Sequence, residues 1–193
     1  RWLERTPFVS VPGYDFREVY GQAVTDMLES EAALVRGNPA LEQAAMEAEL
    51  DSIAASRARF ESIFDEARHR DLLDQGVWRL SWRALQAALF INLYRNEPVL
   101  QLPFRLLSSL MDIDETLTTW RYRHALMVQR MIGRKVGTGG SSGHDYLSRT
   151  AEKHRIFGDL FALSTFYIPR SRLPALPGDL RQAMGYSYAA EGT

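Results

Sequence analysis

The spacing of apolar residues constrains this fold more than any other feature of the sequence. Between Asp15 and Val35, apolar side chains recur every three or four residues, the period of a helix packed along one face. The same period predicts further helices at Pro39 to about His69, Ser81 to Tyr94 or Arg95, Phe104 to Met111, Asp112 to about Gly133, and Tyr146 to Phe166. No stretch predicts a strand, and the Pro- and Gly-rich tail from Arg170 is expected to be irregular. We therefore predict an all-α, bundle-like domain.

Local signals place several helix boundaries. Gly37 ends the first predicted helix, and Asn38 followed by Pro39 is typical of an N-cap with proline at the first helical position. Ser81 is a second N-cap candidate, and the segment that follows, WRALQAALFINLY, is apolar on nearly every side, which indicates a central buried helix. Asp112 and Glu115 have the spacing of a capping box, so we expect a new helix to start there.

Composition excludes several classes of function. The chain has 193 residues, 46% of them hydrophobic, which suffices for one domain spanning residues 1–193. A net charge of -1 gives no support for a nucleic-acid or membrane partner. The absence of cysteine excludes thiolate chemistry, and no apolar run is long enough for a membrane span. We expect a cytoplasmic protein, and because the sequence starts at Arg1 rather than methionine, a processed chain or part of a longer one.

Histidine is the residue type here most able to bind a metal, and the chain has four. No pair has the close helical spacing of a zinc site, and neither HExxH nor GxSxG occurs. His69 and His154 lie among charged neighbours, so we expect ordinary surface or hydrogen-bonded histidines there.

His124 has different neighbours. Steps of three and four place it on one helical stripe with Leu117, Trp120, Arg121, Met127, Val128 and Met131. A lone imidazole on an apolar face needs a polar partner. Haem is one candidate, since it supplies four nitrogens itself and needs one axial imidazole from the protein. A simple core face is the alternative.

The segment GTGGSSG, Gly137–Gly143, interrupts this helical pattern. It does not have the order of a nucleotide P-loop, and no strand precedes it, so a phosphate cradle is excluded. A linker is disfavoured because apolar helical segments flank it on both sides. A ligand loop remains, in which glycine permits close backbone approach and Thr138, Ser141 and Ser142 offer hydroxyl groups.

One known family has closely similar segments. The run WRYRHALMVQRMIGRKVGTGGSSG, Trp120–Gly143, resembles the C-terminal portion of the tryptophan 2,3-dioxygenase family. The resemblance continues in RLSWRALQAAL, PFRLLSSLMDID, DLFALSTFYIPR and the early WLERTPF, so it covers essentially the whole chain. It implies a helical haem domain with a Gly/Ser-rich substrate loop between the last two long helices.

The resemblance implies roles for individual residues. The histidine at the position of His124 is the axial ligand of the iron in the family, where the cofactor is haem b, iron protoporphyrin IX. Trp120, Met127 and Ser141 match residues that line the haem pocket. Thr138 matches the threonine that holds the substrate ammonium group. The distal histidine and the arginine for the substrate carboxylate lie in an N-terminal region with no counterpart here, so no catalytic residue is expected within this segment.

The activity implied is the opening of the indole ring of L-tryptophan with O2, giving N-formylkynurenine, the first step of tryptophan degradation. Family members are cytoplasmic homotetramers, without nucleic-acid or membrane partners. The nearest alternative is a haem monooxygenase or hydroxylase of the same superfamily, acting on a related aromatic amino acid or indole. A haem sensor or carrier and a helical scaffold without cofactor are further alternatives. His144 and Asp145 stand where the family usually has tyrosine and histidine, which leaves substrate contacts on that side of the loop open.

Overall fold

The computed structural model describes residues 1–132 and 155–185. It confirms the all-α prediction, with one short β-ribbon besides the helices. The chain forms two compact units, Arg1–Pro103 with Leu163–Thr193, and Phe104–Ala162. The prediction of a single domain over residues 1–193 stays a prediction. Among the described residues, no helix is both long enough and apolar enough to cross a membrane.

The ribbon at the start of the first unit was missed by the sequence analysis. Strands β1 (Ser10–Val11) and β2 (Tyr14–Asp15) pair antiparallel, with Ser10 opposite Asp15 and Val11 opposite Tyr14. Gly13 adopts a φ of +82° in the turn between them, a conformation that glycine reaches without steric cost. Strands of two residues are too short to produce an alternating pattern, so the prediction of no strand was wrong here for a physical reason.

Helix α1 (Phe16–Arg36) confirms the first predicted helix. The Asp15 carboxylate caps it by accepting from the backbone N–H of Arg17, and the Arg17 guanidinium also binds that carboxylate. Its buried side chains follow the predicted helical period: Phe16, Tyr20, Val24, Met27, Leu28 and Ala32. The Tyr20 hydroxyl donates to the carbonyl of Phe166 and so joins the two chain segments of the first unit.

The second predicted helix, from Pro39 to about His69, is wrong as a single element. Asn38 does not cap it, because the Asn38 side chain accepts from the Ala40 N–H in a turn and helix α2 begins only at Gln43 (Gln43–Phe64). Helix α2 then ends immediately before Asp65. The Asp65 carboxylate accepts from the N–H groups of Ala67 and Arg68 and so caps the N-terminus of a new helix, α3 (Glu66–Asp74).

Helix α4 (Trp82–Leu93) is the central helix of the first unit, as predicted. Ser81 caps it by accepting from the Ala84 N–H. Every residue from Ala84 to Asn92 is buried, and the polar side chains among them are hydrogen-bonded: Gln86 donates to the carbonyl of Ile63 and Asn92 to that of Ala88. The buried ring of His69 also makes a hydrogen bond, from Nε2 to the carbonyl of Leu80 at 2.9 Å, so it is the ordinary histidine that was expected.

Helix α5 corrects another prediction, because Pro98–Ile132 is one continuous helix. The predicted break between Met111 and Asp112 does not exist. Asp112 lies inside the helix, where its backbone carbonyl accepts from the Thr116 hydroxyl, and a residue inside a helix meets no free N–H groups to cap. Pro103 is tolerated within the helix, although it removes one backbone donor.

After residue 154, the chain forms α6 (Gly158–Ala162), a 3₁₀ turn at Leu163–Phe166 and another at Arg170–Arg172. Helix α7 (Gly178–Met184) follows and buries Leu180 and Met184, so the prediction of an irregular tail was wrong for these residues. Pro177 precedes that helix instead of preventing it. Residues 155–157 are not helical, so the predicted helix Tyr146–Phe166 is wrong there, and its residues 146–154 lie outside the described residues.

Candidate haem face on helix α5

The second unit contains the C-terminal part of α5, which carries His124. Trp120 lies one helical turn before His124, and the two rings stack, with their centroids 5.4 Å apart and their planes inclined by 10°. Met127 and Met131 continue along the same side because steps of three and four residues return to one helical face. The structure therefore brings together three of the predicted site residues: Trp120, His124 and Met127.

This apolar side of α5 is open. Trp120 is 60% exposed, Met127 48% and Met131 75%, while His124 is half-buried. We call this surface, Trp120, His124, Met127 and Met131, the His124 face. The opposite side of the helix is buried, at Leu107, Asp114 and Ala125. Clusters of exposed large apolar residues typically mark a binding surface, and here that surface includes a partly accessible imidazole.

Charged residues border the His124 face. Arg123 and Arg130 are exposed on α5, and Asp112 and Glu115 lie nearer the start of the helix. A shallow surface depression of about 490 Å³ lies beside Trp120 and is lined by Asp112, Glu115, Thr116, Thr119, Trp120 and Arg123. The border thus offers guanidinium groups able to bind anionic substituents of a ligand that covers the apolar surface.

Among the described residues, His124 has no partner ligands for a bare metal ion. Across residues 1–132 and 155–185, no group of three or more His, Cys, Asp or Glu side chains is placed to hold one. A structural zinc or catalytic metal ion would require such a group. Haem requires only the axial imidazole and an apolar surface beside it, so the residues present fit this cofactor.

A second concavity lies in the first unit, and none of the predicted site residues that the structure describes is among its lining residues. It has a volume of about 360 Å³ and is lined mainly by the N-terminal segment and α4: Leu3, Glu4, Thr6, Val9, Ser10, Arg17, Glu66, Trp82, Arg83, Gln86 and Ala87. The Arg17 guanidinium lies 4.8 Å from the centre of the Trp82 ring. The Ser81 hydroxyl donates to Glu4 and holds the pKa of that carboxyl below its usual value. These contacts join the N-terminal segment to α1 and α4.

Comparison with known proteins assigns the chain to a family. The sequence model of one family, described as tryptophan 2,3-dioxygenase, matches residues 1–167, most of the chain. This chain belongs to the tryptophan 2,3-dioxygenase family. Proteins named tryptophan 2,3-dioxygenase are similar to it: that of Bdellovibrio bacteriovorus is 46% identical over 188 residues, 97% of this chain and 52% of the relative. That of Dictyostelium discoideum is 42% identical over 190 residues, which cover 98% of this chain and 48% of the relative.

A vertebrate relative gives the same result. The tryptophan 2,3-dioxygenase of Xenopus tropicalis is 44% identical over 191 residues, covering 98% of this chain and 46% of its own. The chain therefore spans about half the length of the curated tryptophan 2,3-dioxygenases that it matches.

The other predicted site residues of this family member lie outside the described residues. They are Thr138 and Ser141, within Gly137–Gly143, followed by His144 and Asp145. Their roles, and the axial role of His124, stay predictions.

Asp114 is a residue that the sequence analysis missed. The sequence pattern predicted a capping role for Asp112, whereas Asp114 is the fully buried carboxylate of this helix. The seven-residue step from the apolar Leu107 was a sequence signal that Asp114 lies on the same side of the helix as that residue.

Proposed function

We propose that this chain forms the proximal haem-binding part of a tryptophan 2,3-dioxygenase. The activity is the oxidation of L-tryptophan by O2 to N-formylkynurenine, in which the indole C2–C3 bond breaks and each of these carbons receives one oxygen atom. The observation that carries the proposal is the His124 face: an imidazole stacked on Trp120 lies on an exposed apolar surface in a member of this family.

Each proposed residue role follows from chemistry that the side chain can perform. His124 would bind the iron of haem b, and Trp120, Met127 and Ser141 would line the pocket of the macrocycle. Arg123 and Arg130 are exposed on the same helix, so their guanidinium groups can bind the propionates. When bound, haem supplies the iron at which dioxygen is activated. The protein supplies the axial nitrogen, an apolar surface and exclusion of water.

Substrate recognition is assigned to the segment after α5. Thr138 holds the ammonium group of tryptophan, and the glycines beside it permit close backbone approach. The distal histidine and the arginine for the substrate carboxylate are proposed to come from a part of the protein that precedes Arg1, as in the family resemblance. We further propose a cytoplasmic homotetramer in which residues 1–193 form one domain.

The proposal is tested by His124→Ala in the full chain. We expect the purified protein to show a haem Soret band that this variant abolishes, because the other described histidine, His69, is buried and hydrogen-bonded to the Leu80 carbonyl. Tyr122→Phe is the matched control, since Tyr122 is exposed on another side of α5 and should leave the band unchanged. A normal haem content in His124→Ala would exclude His124 as the sole ligand.

Product analysis tests the reaction itself. A tryptophan 2,3-dioxygenase yields N-formylkynurenine, detected by its absorbance and by a mass gain of two oxygen atoms. A product that contains only one added oxygen would instead establish the related monooxygenase activity.

A further inference from the structure

Two methionines lie on the His124 face, in the second unit. Met131 is 75% exposed and Met127 is 48% exposed, and they are about one helical turn apart on α5. The sequence contains six methionines, and the remaining ones are less accessible, two of them buried and two half-buried: Met27 and Met184, and Met46 and Met111. The methionine side chains most exposed to solvent therefore lie on the face that is proposed to bind haem.

The thioether sulfur is the reactive atom of a methionine side chain. Hydrogen peroxide transfers one oxygen atom to it: the O–O bond breaks, an S–O bond forms, the sulfur loses two electrons to become a sulfoxide, and the peroxide is reduced to water. Burial slows this reaction because the peroxide must reach the sulfur. The 193 residues contain no cysteine thiol that would react first, so Met127 and Met131 are the expected targets of a peroxide.

Oxidation changes the chemistry of this surface. A methionine sulfoxide is polar and carries a hydrogen-bond acceptor, whereas methionine is an apolar side chain. The four nitrogens of haem bind the iron, so the macrocycle has no N–H group to donate to a sulfoxide oxygen. When haem binds the oxidised face, that oxygen therefore loses its hydrogen bonds to water without a replacement, and the cost opposes haem binding.

We propose that Met127 and Met131 form a reversible oxidation site, at which a peroxide weakens the binding of haem to the haem-free chain. The proposal rests on the proposed function, since the ligand that the oxidised face binds less tightly is the haem of that function. Reduction of the sulfoxides regenerates the thioethers and with them the apolar face. Methionine sulfoxide reductases carry out this reduction, with one enzyme for each sulfoxide epimer.

Peptide mapping of the haem-free full chain measures the order of oxidation and needs no variant. In dilute hydrogen peroxide, the two methionines of the His124 face should gain one oxygen atom at least roughly fivefold faster than the buried Met27 and Met184. Zinc protoporphyrin, which has the haem macrocycle but no redox-active metal, should slow the reaction at Met127 and Met131 and not at Met46 on α2. Equal rates at all these residues, or no protection by the macrocycle, would overturn the proposal.

Haem titration measures the consequence of oxidation. After peroxide treatment of the haem-free chain and removal of the peroxide by catalase, the Kd for haem should rise roughly tenfold, because a polar oxygen must be buried without a partner. Incubation with both classes of methionine sulfoxide reductase should restore the original Kd. These enzymes do not repair an oxidised indole, so a raised Kd that they fail to lower would assign the effect to another residue, such as Trp120, and would contradict the proposal.

A double variant, Met127→Leu with Met131→Leu, separates this site from the rest of the chain. Leucine is apolar and has no sulfur, so the Kd for haem after peroxide treatment should stay within about twofold of the same variant's Kd before treatment. The matched control, Met46→Leu with Met111→Leu, should keep the roughly tenfold rise of the unmodified chain.

Two further results distinguish this proposal from the proposed function. An unmodified chain that binds no haem before peroxide treatment rejects the proposed function and this proposal with it. Normal haem binding that stays unchanged after both methionines of the His124 face are oxidised rejects this proposal alone.

Discussion

Helices α4 and α5 are both rich in apolar residues, yet they differ in how much of their surface is buried. Every residue of α4 from Ala84 to Asn92 is buried, so side chains on all sides of this helix are packed within the protein. α5 packs one side and leaves the His124 face exposed among the described residues. Apolar periodicity therefore predicts that a helix has an apolar face, but it does not tell whether protein or ligand covers that face.

The largest effect is expected for a cavity in α4. Leu89 is fully buried, and Leu89→Ala should lower the free energy of unfolding by about 3 kcal/mol, because it removes apolar contacts and leaves a cavity. Urea denaturation measures the change. Met131→Ala on the His124 face is the control and should change the free energy of unfolding by less than about 0.5 kcal/mol. An equal loss of unfolding free energy in the two variants would contradict the difference between a fully packed α4 and an exposed His124 face on α5.

An intermediate effect is expected on the His124 face. Trp120→Leu removes the ring that stacks on His124, and aromatic contacts of this kind contribute about 0.5–1.5 kcal/mol, so haem should dissociate up to about tenfold more readily. Transfer of haem to an excess of apomyoglobin measures the rate. Tyr122→Leu changes an aromatic residue on another side of α5 and should leave the rate unaltered. A similar acceleration in both variants would contradict a specific role for the stack.

The smallest effect is expected on the stability of the fold at low pH. The hydrogen bonds from Arg17 lower the pKa of Asp15 to about 2, below its value in an unfolded chain. The stabilisation is therefore present above about pH 4 and is lost as the pH falls towards 2. Because the ion pair is partly solvent-exposed, we expect a loss of only about 1 kcal/mol. Asp15→Asn should abolish this part of the pH dependence, whereas Asp112→Asn, at an exposed carboxylate of α5, should retain it.

Local sequence signals predicted some helix boundaries and not others. Ser81 precedes a helix whose first N–H groups are free, and it caps that helix as predicted. Asp15, which was not predicted to cap, caps α1 in the same way. Asp65 and Asp112 are both acidic residues within apolar helical patterns, but only Asp65 starts a helix. The difference lies in whether the preceding helix continues, which depends on packing along the whole of α5 and not on the few residues around Asp112.

The candidate site was predictable to a similar extent. Helical spacing was enough to group Trp120, His124 and Met127, since one helix carries all three. The exposure of the His124 face was not predictable, because the spacing of residues along a helix does not reveal which other parts of the protein pack against it. Asp114 was missed because its hydrogen-bond partners follow 42 and 43 residues later, beyond any local pattern. The roles of Thr138 and Ser141 remain predictions.

The parallel stacking of Trp120 and His124 has a consequence for how readily a ligand can be captured. An isolated histidine on a helix surface samples several rotamers, and coordination to iron must select one of them at an entropic cost. An indole ring held flat against the imidazole narrows that choice before any ligand arrives. Part of the ordering has then already taken place during folding, so the nitrogen of His124 is preorganised for the bond that it is proposed to form.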